Sequence, residues 1–209
     1  MGVWGDHVVP RLADRTLRSP VISELRAEVC APLRGRVLEL GFGGGLNIPW
    51  YPEAVTSVAA VEPSDVGWGL SERRRARSEV PIERRGLDGQ QLDEPDSAYD
   101  AVLSTFTLCT IPDPVAALSE VRRVLRSDGV LCVLEHGLAP DDRVAAWQHR
   151  LDGIQQRMAG GCHLVRDIAE LVRDAGFEVT RLETSYLEGP ALARPWSYGF
   201  LIAARPRAA

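Results

Sequence analysis

The chain has 209 residues and a net charge of -5, and its 45% hydrophobic and 25% charged composition is typical of a globular protein. This length favours a single domain over 1–209. The acidic balance argues against a nucleic-acid partner, because such proteins need a basic face. All 24 residues in the Lys+Arg count are arginine, which excludes a Schiff-base lysine and a P-loop.

The sequence carries no pattern of a membrane or secreted protein. No stretch approaches the roughly 18 apolar residues that span a bilayer, and no signal peptide is recognisable. The four cysteines are widely spaced and the four histidines form no HxxxH pair. We therefore expect no integral membrane segment, no metal, and reduced thiols in a cytoplasmic location. We also expect a monomer or homodimer.

Helical and apolar β-like stretches alternate along the chain. A helix over 21–31, begun by Ser19 and Pro20, belongs to an N-terminal helical segment at 1–34. Short apolar runs predict buried strands at 36–40, 58–61, 101–105, 129–135, 177–184 and 198–204. Helical spacing predicts helices at 68–78, 114–126, 141–158 and 167–175. This order of elements predicts a doubly wound α/β sheet.

Two features stand apart from that alternation. The connection 138–166 is long and carries its own helix, which favours a lid over the site. The arginine run at 73–75 is typical of a solvated helix face.

The strongest chemical signal is the run Glu39-Leu40-Gly41-Phe42-Gly43-Gly44-Gly45, which closes the first strand. Glycines allow a sharp turn and a close approach of ligand to backbone, and we expect a helix to begin near Leu46 with its amides facing the ligand. The second strand ends at Glu62, about 20 residues beyond the turn, where a carboxylate can accept both ribose hydroxyls. The pattern predicts a site for an adenosine-containing ligand.

The spacing of this turn distinguishes between such ligands. Leu46 stands where a dinucleotide fingerprint has its third glycine, and Glu39 would repel a pyrophosphate. Both features favour S-adenosylmethionine, which carries an ammonium and a sulfonium. Two alternatives stay open: an NAD(P)-dependent oxidoreductase, which shares the turn and Glu62 but lacks the Tyr-x-x-x-Lys pair, and a non-catalytic cofactor-binding interaction module.

These motifs resemble the class I S-adenosylmethionine-dependent methyltransferases, in particular the subgroup related to ubiquinone and menaquinone methyltransferases. ELGFGGG, AAVEPS, GLDGQQL and DAVLSTFTLCTIPD are similar to the family's first four motifs. The resemblance implies a Rossmann-like seven-stranded sheet, mostly parallel with an antiparallel last strand, and S-adenosylhomocysteine as product. The cofactor-binding residues that it implies are Glu39, Gly41, Phe42, Gly43, Gly45, Asn47, Glu62, Pro63, Asp88, Gly89, Thr105 and Phe106.

A narrower resemblance concerns the methyl acceptor. GLNIPWYP, TLCTIPD, EHG, GGCHL and RPWSYGF resemble phrases of the mammalian alkyl-thiol methyltransferases and their bacterial relatives. This implies a small, partly apolar acceptor; a thiol, a quinone-like phenol and a lipid headgroup all match that description.

Residues at the carboxyl ends of the strands are the candidates for contact with the acceptor. His136 directly follows a predicted strand, and an imidazole that titrates near pH 6.5 suits a general base. A structural hydrogen bond explains His136 equally well. The remaining substrate candidates are Trp4, His7, Cys109, Trp147 and His163.

Overall fold

A helical segment precedes the sheet in the computed structural model, which describes residues 4–207. It consists of a π-helical turn (Trp4–Val8), α1 (Val9–Thr16) and α2 (Pro20–Cys30). The hydroxyl of Ser19 accepts a hydrogen bond from the backbone N–H of Ile22 at 3.3 Å, so α2 begins at the predicted cap.

Seven strands form one sheet in the order β3-β2-β1-β4-β5-β7-β6. The first five strands are parallel, and β7 pairs antiparallel with β5 and with β6. This confirms the Rossmann-like sheet with an antiparallel last strand. The strands are β1 (Gly35–Leu40), β2 (Val55–Val61), β3 (Ile82–Gly86), β4 (Tyr99–Thr105), β5 (Leu125–His136), β6 (Phe177–Tyr186) and β7 (Tyr198–Pro206).

The edge strand β3 is the one strand that the apolar pattern did not predict. Its sequence, IERRG, alternates half-buried and exposed positions. An edge strand that is covered so thinly needs no continuous apolar run, so only the family resemblance implied a seventh strand.

Six further helices flank the sheet: α3 (Asp65–Leu70), α4 (Glu72–Arg75), α5 (Pro114–Val124), α6 (Asp142–Met158), α7 (Ile168–Asp174) and α8 (Arg194–Ser197). The single helix predicted at 68–78 is wrong, because two short helices meet at the fully buried Ser71. Gly67 and Gly69 weaken the helix, and the Ser71 hydroxyl donates to the Trp68 carbonyl at 2.6 Å.

Apolar clusters cover both faces of the sheet. On one face Leu38 and Val102 pack with Leu118 and Val121 of α5. The opposite face, which includes Val37, packs against α2 through residues such as Val29. Because successive strand residues point to opposite faces and both faces are covered, β1 and β5 are buried over 37–40 and 129–135. Among the helices of residues 4–207, none is long and apolar enough to cross a bilayer.

One buried carboxylate attaches α1 to the body of the protein. Asp14 is 6% exposed and forms ion pairs with Arg18 and, at 3.1 Å, with Arg74. Arg74 also donates to the carbonyl of Gly44. The expectation that the arginine run at 73–75 is a solvated face is therefore wrong for Arg74, and also for Arg75, whose guanidinium lies 3.7 Å from the centre of the Trp68 ring.

Replacement of Asp14 with Ala should loosen α1, because Arg74 loses its buried carboxylate partner. We expect trypsin to cleave after Arg11 and Arg15 faster than in the wild type, and the free energy of unfolding to fall by about 1–3 kcal/mol. Asp6→Ala, an exposed change in the same segment, is the control. Equal cleavage rates for the two variants would contradict this anchoring role.

Candidate active site

The glycine turn joins β1 to the rest of the site through three left-handed residues. Gly41, Gly43 and Gly45 have φ of +73°, +55° and +71°. A Cβ on Gly41 would lie 1.9 Å from the Thr107 hydroxyl, and one on Gly45 would lie 2.8 Å from Ile48. A Cβ on Gly43 would meet nothing within 4 Å. Gly41 and Gly45 are thus required by the chain's own packing, whereas Gly43 presents its backbone to open space.

The chain that follows the turn differs from the expectation. In place of a helix that begins near Leu46, the structure has one 3₁₀ turn at Ile48–Trp50. Pro52 lies two residues after Trp50, and a proline there has no N–H to continue a helix and restricts Tyr51 before it. The turn therefore presents no helix N-terminus to the ligand side, and the N–H groups of Gly41, Gly43 and Gly45 donate within the chain, to Val61, Glu62 and Phe42.

Glu62 connects the end of β2 to this turn. Leu40 of β1 pairs with Val61 of β2, so Gly41 and Glu62 emerge side by side. The Glu62 carboxylate accepts hydrogen bonds from the backbone N–H of Gly43 at 2.5 Å and of Ser64 at 2.8 Å. Burial raises the pKa of Glu62, and these two bonds lower it by less. Two predicted cofactor residues are therefore in direct contact, with the exposed Pro63 beside them.

A buried polar network lies beneath the turn. Glu39 is fully buried, and its carboxylate accepts hydrogen bonds from Asn47 at 2.9 Å and from the Tyr51 hydroxyl. Asn47 also donates to the Thr105 hydroxyl at 3.0 Å. Burial raises the pKa of Glu39 to about 7, against the effect of Tyr51, Asn47 and Arg26. Three of the predicted cofactor residues thus support the turn from below.

Arg26 of α2 completes this network and was not among the predicted residues. It is 3% exposed and donates to Asn47 Oδ1 at 2.5 Å and to Thr105 Oγ1 at 3.0 Å. Its guanidinium lies 5.6 Å from the centre of the Phe106 ring. The available signal was its place on the buried face of α2, which it shares with Ile22 and Val29, since a charge among apolar helix positions needs buried partners.

The other predicted cofactor residues have different environments. Phe106 directly follows β4 and has a φ of +52°, which is unusual for a non-glycine residue. Asp88 follows β3, is exposed, and accepts two hydrogen bonds from Gln90, which lower its pKa. A Cβ on Gly89 would lie 2.4 Å from Leu40. Phe42 is 3% exposed and packs against Trp68, so it is a core residue.

A cluster of sulfur and imidazole groups occupies the carboxyl ends of β4 and β5. His136 is the last residue of β5, and its Nε2 lies 2.9 Å from Cys162 Sγ. Cys162 Sγ in turn lies 3.7 Å from Cys109 Sγ. Burial lowers the pKa of His136, but Cys162 and the charge of Glu135 raise it by more, so the net shift is upward. Nε2 of His136 is therefore engaged by a thiol, and the base role of His136 stays a prediction.

Glu135 and Arg166 fix the loop that carries Cys109, and neither was predicted. The buried Glu135 carboxylate accepts hydrogen bonds from the backbone N–H groups of Thr107 and, at 2.6 Å, of Leu108. Arg166 donates to the carbonyl of Leu108 at 2.5 Å and to that of Ile111 at 2.7 Å. The backbone on both sides of the thiol is thereby held.

The predicted acceptor residues are only partly brought together. Cys109 belongs to the cluster. His163 directly follows Cys162 of the cluster, but its ring bonds to Gln156 of α6 at 3.1 Å. Trp4 donates to the Met158 carbonyl at the end of α6. His7 is exposed. Trp147 is 54% exposed and lies against Arg150, so its contact with the acceptor stays a prediction.

Glu62→Ala should weaken the binding of S-adenosylmethionine by about 1–3 kcal/mol, the usual cost of lost charge-assisted hydrogen bonds. Calorimetric titration of the purified chain measures this, with the exposed Glu53→Ala as control. An unchanged dissociation constant in Glu62→Ala would remove Glu62 from the ligand site.

Gly43→Ala and Gly41→Ala separate ligand contact from internal packing. Both pay roughly 1–2 kcal/mol for a left-handed alanine. Gly41→Ala should lose more stability, because its Cβ meets Thr107, whereas Gly43→Ala should lose S-adenosylmethionine binding while it stays folded. Denaturant melts and titrations of both variants test this, and full binding by Gly43→Ala would show that the turn does not face the ligand.

The chain is similar to proteins of known family. Residues 38–133 match the model described as a methyltransferase domain. The chain is 33% identical over 153 residues to thiol S-methyltransferase TMT1B of Rattus norvegicus, covering 70% of this chain and 62% of that protein. It is 30% identical over 169 residues to the Homo sapiens protein of that name, covering 78% of this chain and 68% of that protein. It is 31% identical over 150 residues to phosphatidylethanolamine N-methyltransferase of Cereibacter sphaeroides, covering 69% of this chain and 71% of that protein.

Solved structures show the same fold at lower identity. A putative methyltransferase from Bacillus halodurans aligns with a TM-score of 0.72 at 16% identity, over 88% of this chain and 99% of that one. The [4+2]-cyclase SpnF aligns with a TM-score of 0.64 at 23% identity, over 95% of this chain and 82% of that one. The fold alone therefore accommodates more than one activity, and membership rests on the sequence relatives. By that similarity, the chain belongs to the class I S-adenosylmethionine-dependent methyltransferases.

Proposed function

We propose that this chain methylates a small, partly apolar thiol with S-adenosylmethionine as methyl donor. The observation that carries the proposal is the similarity to relatives named thiol S-methyltransferase. Two of the narrower phrases that resemble this group, TLCTIPD and EHG, lie at the carboxyl ends of β4 and β5, where the acceptor of an open α/β sheet is expected. GLNIPWYP follows β1 instead.

The residues at the glycine turn suit S-adenosylmethionine. The Glu62 carboxylate, at the end of β2, can accept bonds from a ribose diol, and the absence of a side chain at Gly43 leaves room for the ligand beside it. The turn carries no basic side chain for a pyrophosphate, and the buried Glu39 beneath it favours a cationic amino acid. We assign the adenine to Asp88 and Gly89, as the family resemblance implies. The donor supplies an electrophilic methyl group on a sulfonium.

The acceptor side needs alignment and a deprotonated nucleophile. A thiol with a pKa near 8.5 needs far less assistance with deprotonation than a hydroxyl. This agrees with an edge at which His136 is the one base that the sequence predicts. We propose that His136 and Cys109 contact the acceptor, and that the connection 138–166 forms its outer wall. Gln148 of α6 is fully buried and bonds to Ala139, Gly137 and Pro195, so this wall is firmly attached.

The proposal also covers the domain organisation, the location and the partners of the protein. We propose a single domain, a cytoplasmic location, a small-molecule acceptor and no nucleic-acid partner, the last because the net charge is -5. The chain spans 62% of the length of the rat relative, so the activity of the whole protein is part of this proposal.

A transfer assay with methyl-labelled donor tests the acceptor class. We expect an alkyl thiol to be methylated at least 10-fold faster than the matched alkyl alcohol, with equimolar S-adenosylhomocysteine formed. A quinol and vesicles that contain phosphatidylethanolamine are the competing acceptors, the second because one relative acts on that lipid by name. Faster transfer to either of these than to the thiol would overturn the thiol assignment. Glu62→Ala serves as the low-activity control.

A further inference from the structure

Three potential metal ligands converge at the acceptor edge from separate parts of the chain. Cys109 lies in the loop after β4, His136 ends β5, and Cys162 follows α6. Their Sγ and imidazole atoms all lie within 4.8 Å of one another, although the spacing of Cys and His along the sequence predicts no metal site. The two sulfurs are 3.7 Å apart, close to the about 3.8 Å edge of a tetrahedron with 2.3 Å zinc–sulfur bonds.

The backbone around these ligands is fixed before any ion arrives. The N–H of His163 donates to the carbonyl of Cys109 at 2.8 Å, which joins the two cysteine segments. Glu135 and Arg166 hold the neighbours of Cys109, as described above. Cys109 and Cys162 are 2% and 7% exposed, so solvent competes little for the ligands. Such support from surrounding groups is what orients the ligands of a metal site.

Charge and chemistry select the metal. Two thiolates and one imidazole are soft and borderline donors, which zinc prefers over the oxygen-seeking Mg²⁺ and Ca²⁺. The buried carboxylate of Glu135 lies beside Cys109, and Glu135 Oε2 and His136 Nδ1 have no hydrogen-bond partner within the described chain. The two thiolates and this carboxylate are negatively charged, whereas the divalent ion and the Arg166 guanidinium are positively charged. These charges cancel, so the metal can be held without an uncompensated buried charge.

We propose that Cys109, His136 and Cys162 bind a zinc ion, and that its fourth coordination position takes the acceptor thiol as a thiolate. Three protein ligands are the number found in zinc sites that keep a position for substrate, whereas structural sites have four. The zinc site stands on the geometry alone, while the role of the fourth position rests on the proposed function. His136 then acts as a ligand and not as the base expected from the sequence.

The chemistry of the transfer balances. The acceptor R–SH binds the metal and releases its proton to solvent, because a coordinated thiol is deprotonated at neutral pH. A lone pair of that sulfur forms the new bond to the methyl carbon. The bond from this carbon to the sulfonium sulfur breaks, and its electron pair stays on the sulfur of S-adenosylhomocysteine. The product R–S–CH₃ is neutral, so it is a weaker ligand and leaves.

Metal content and a cobalt spectrum test the site in the purified full chain. We expect about one zinc per chain by mass spectrometry of the metal. Cobalt in its place should give the visible bands of a tetrahedral ion and a thiolate charge-transfer band, and both should shift when an alkyl thiol is added but not the matched alcohol. Absence of zinc together with a silent cobalt spectrum overturns the proposal. A cobalt spectrum that does not respond to thiol overturns the role of the fourth position.

Variants provide the matched comparison. Cys109→Ala, Cys162→Ala and His136→Ala should each lose most of the metal and at least 10-fold of the thiol transfer rate, with unchanged affinity for S-adenosylmethionine. Cys132→Ala removes another buried thiol, on the same strand as His136, and should keep the metal. Equal metal content in the cluster variants and in Cys132→Ala overturns the assignment, as does a Cys109–Cys162 disulfide in zinc-free purified chain.

The two proposals fail in different ways. If zinc-free chain transfers methyl groups to thiols at the wild-type rate, the zinc proposal is overturned and the thiol methyltransferase activity stands. If zinc is bound through the three ligands but no thiol is methylated, the metal site stands, and both the proposed function and the role of the fourth position are overturned.

Discussion

The constraint on which this structure depends is the burial of the central parallel strands on both faces of the sheet. With α5 and α7 on one face and α2 on the other, the backbone of β1, β4 and β5 has no exposed face on which chemistry could occur. The carboxyl edge is where the strands end and where their following loops meet. The glycine turn, Glu62 and the Cys109–His136–Cys162 cluster all lie along that edge, so fold and site are consequences of the same burial.

Burial also explains the polar network beneath the turn. Glu39 and Arg26 are charged groups with almost no exposure, and each would be costly alone. Asn47 and Thr105 bond to Arg26, and Asn47 also bonds to Glu39, so each charge retains polar partners. The same bonds attach α2 to the turn. A residue pattern that reads as ligand contact in the sequence thus also serves to hold the turn's shape.

The sequence predicted what local patterns encode. Apolar runs identified six strands, and the spacing of Gly41, Gly43 and Glu62 located two groups that are in direct contact. It could not show what Arg26 binds, because its partners Asn47 and Thr105 are 21 and 79 positions away. The metal-like cluster was missed for the same reason: Cys109 and Cys162 are 53 positions apart, and only the sheet order brings them together.

The two ends of the edge carry different chemistry, and this difference suits the proposed methyl transfer to sulfur. The turn end offers carboxylates and an unobstructed approach at Gly43, which suit a cationic donor with a ribose. The β4–β5 end offers buried sulfur and imidazole, which suit a soft nucleophile or the ion that activates it. A donor held at one end presents its methyl group toward the other only if both ends are rigid. Glu62 at the turn and Glu135 behind Cys109 each accept two backbone N–H bonds, and these bonds provide that rigidity.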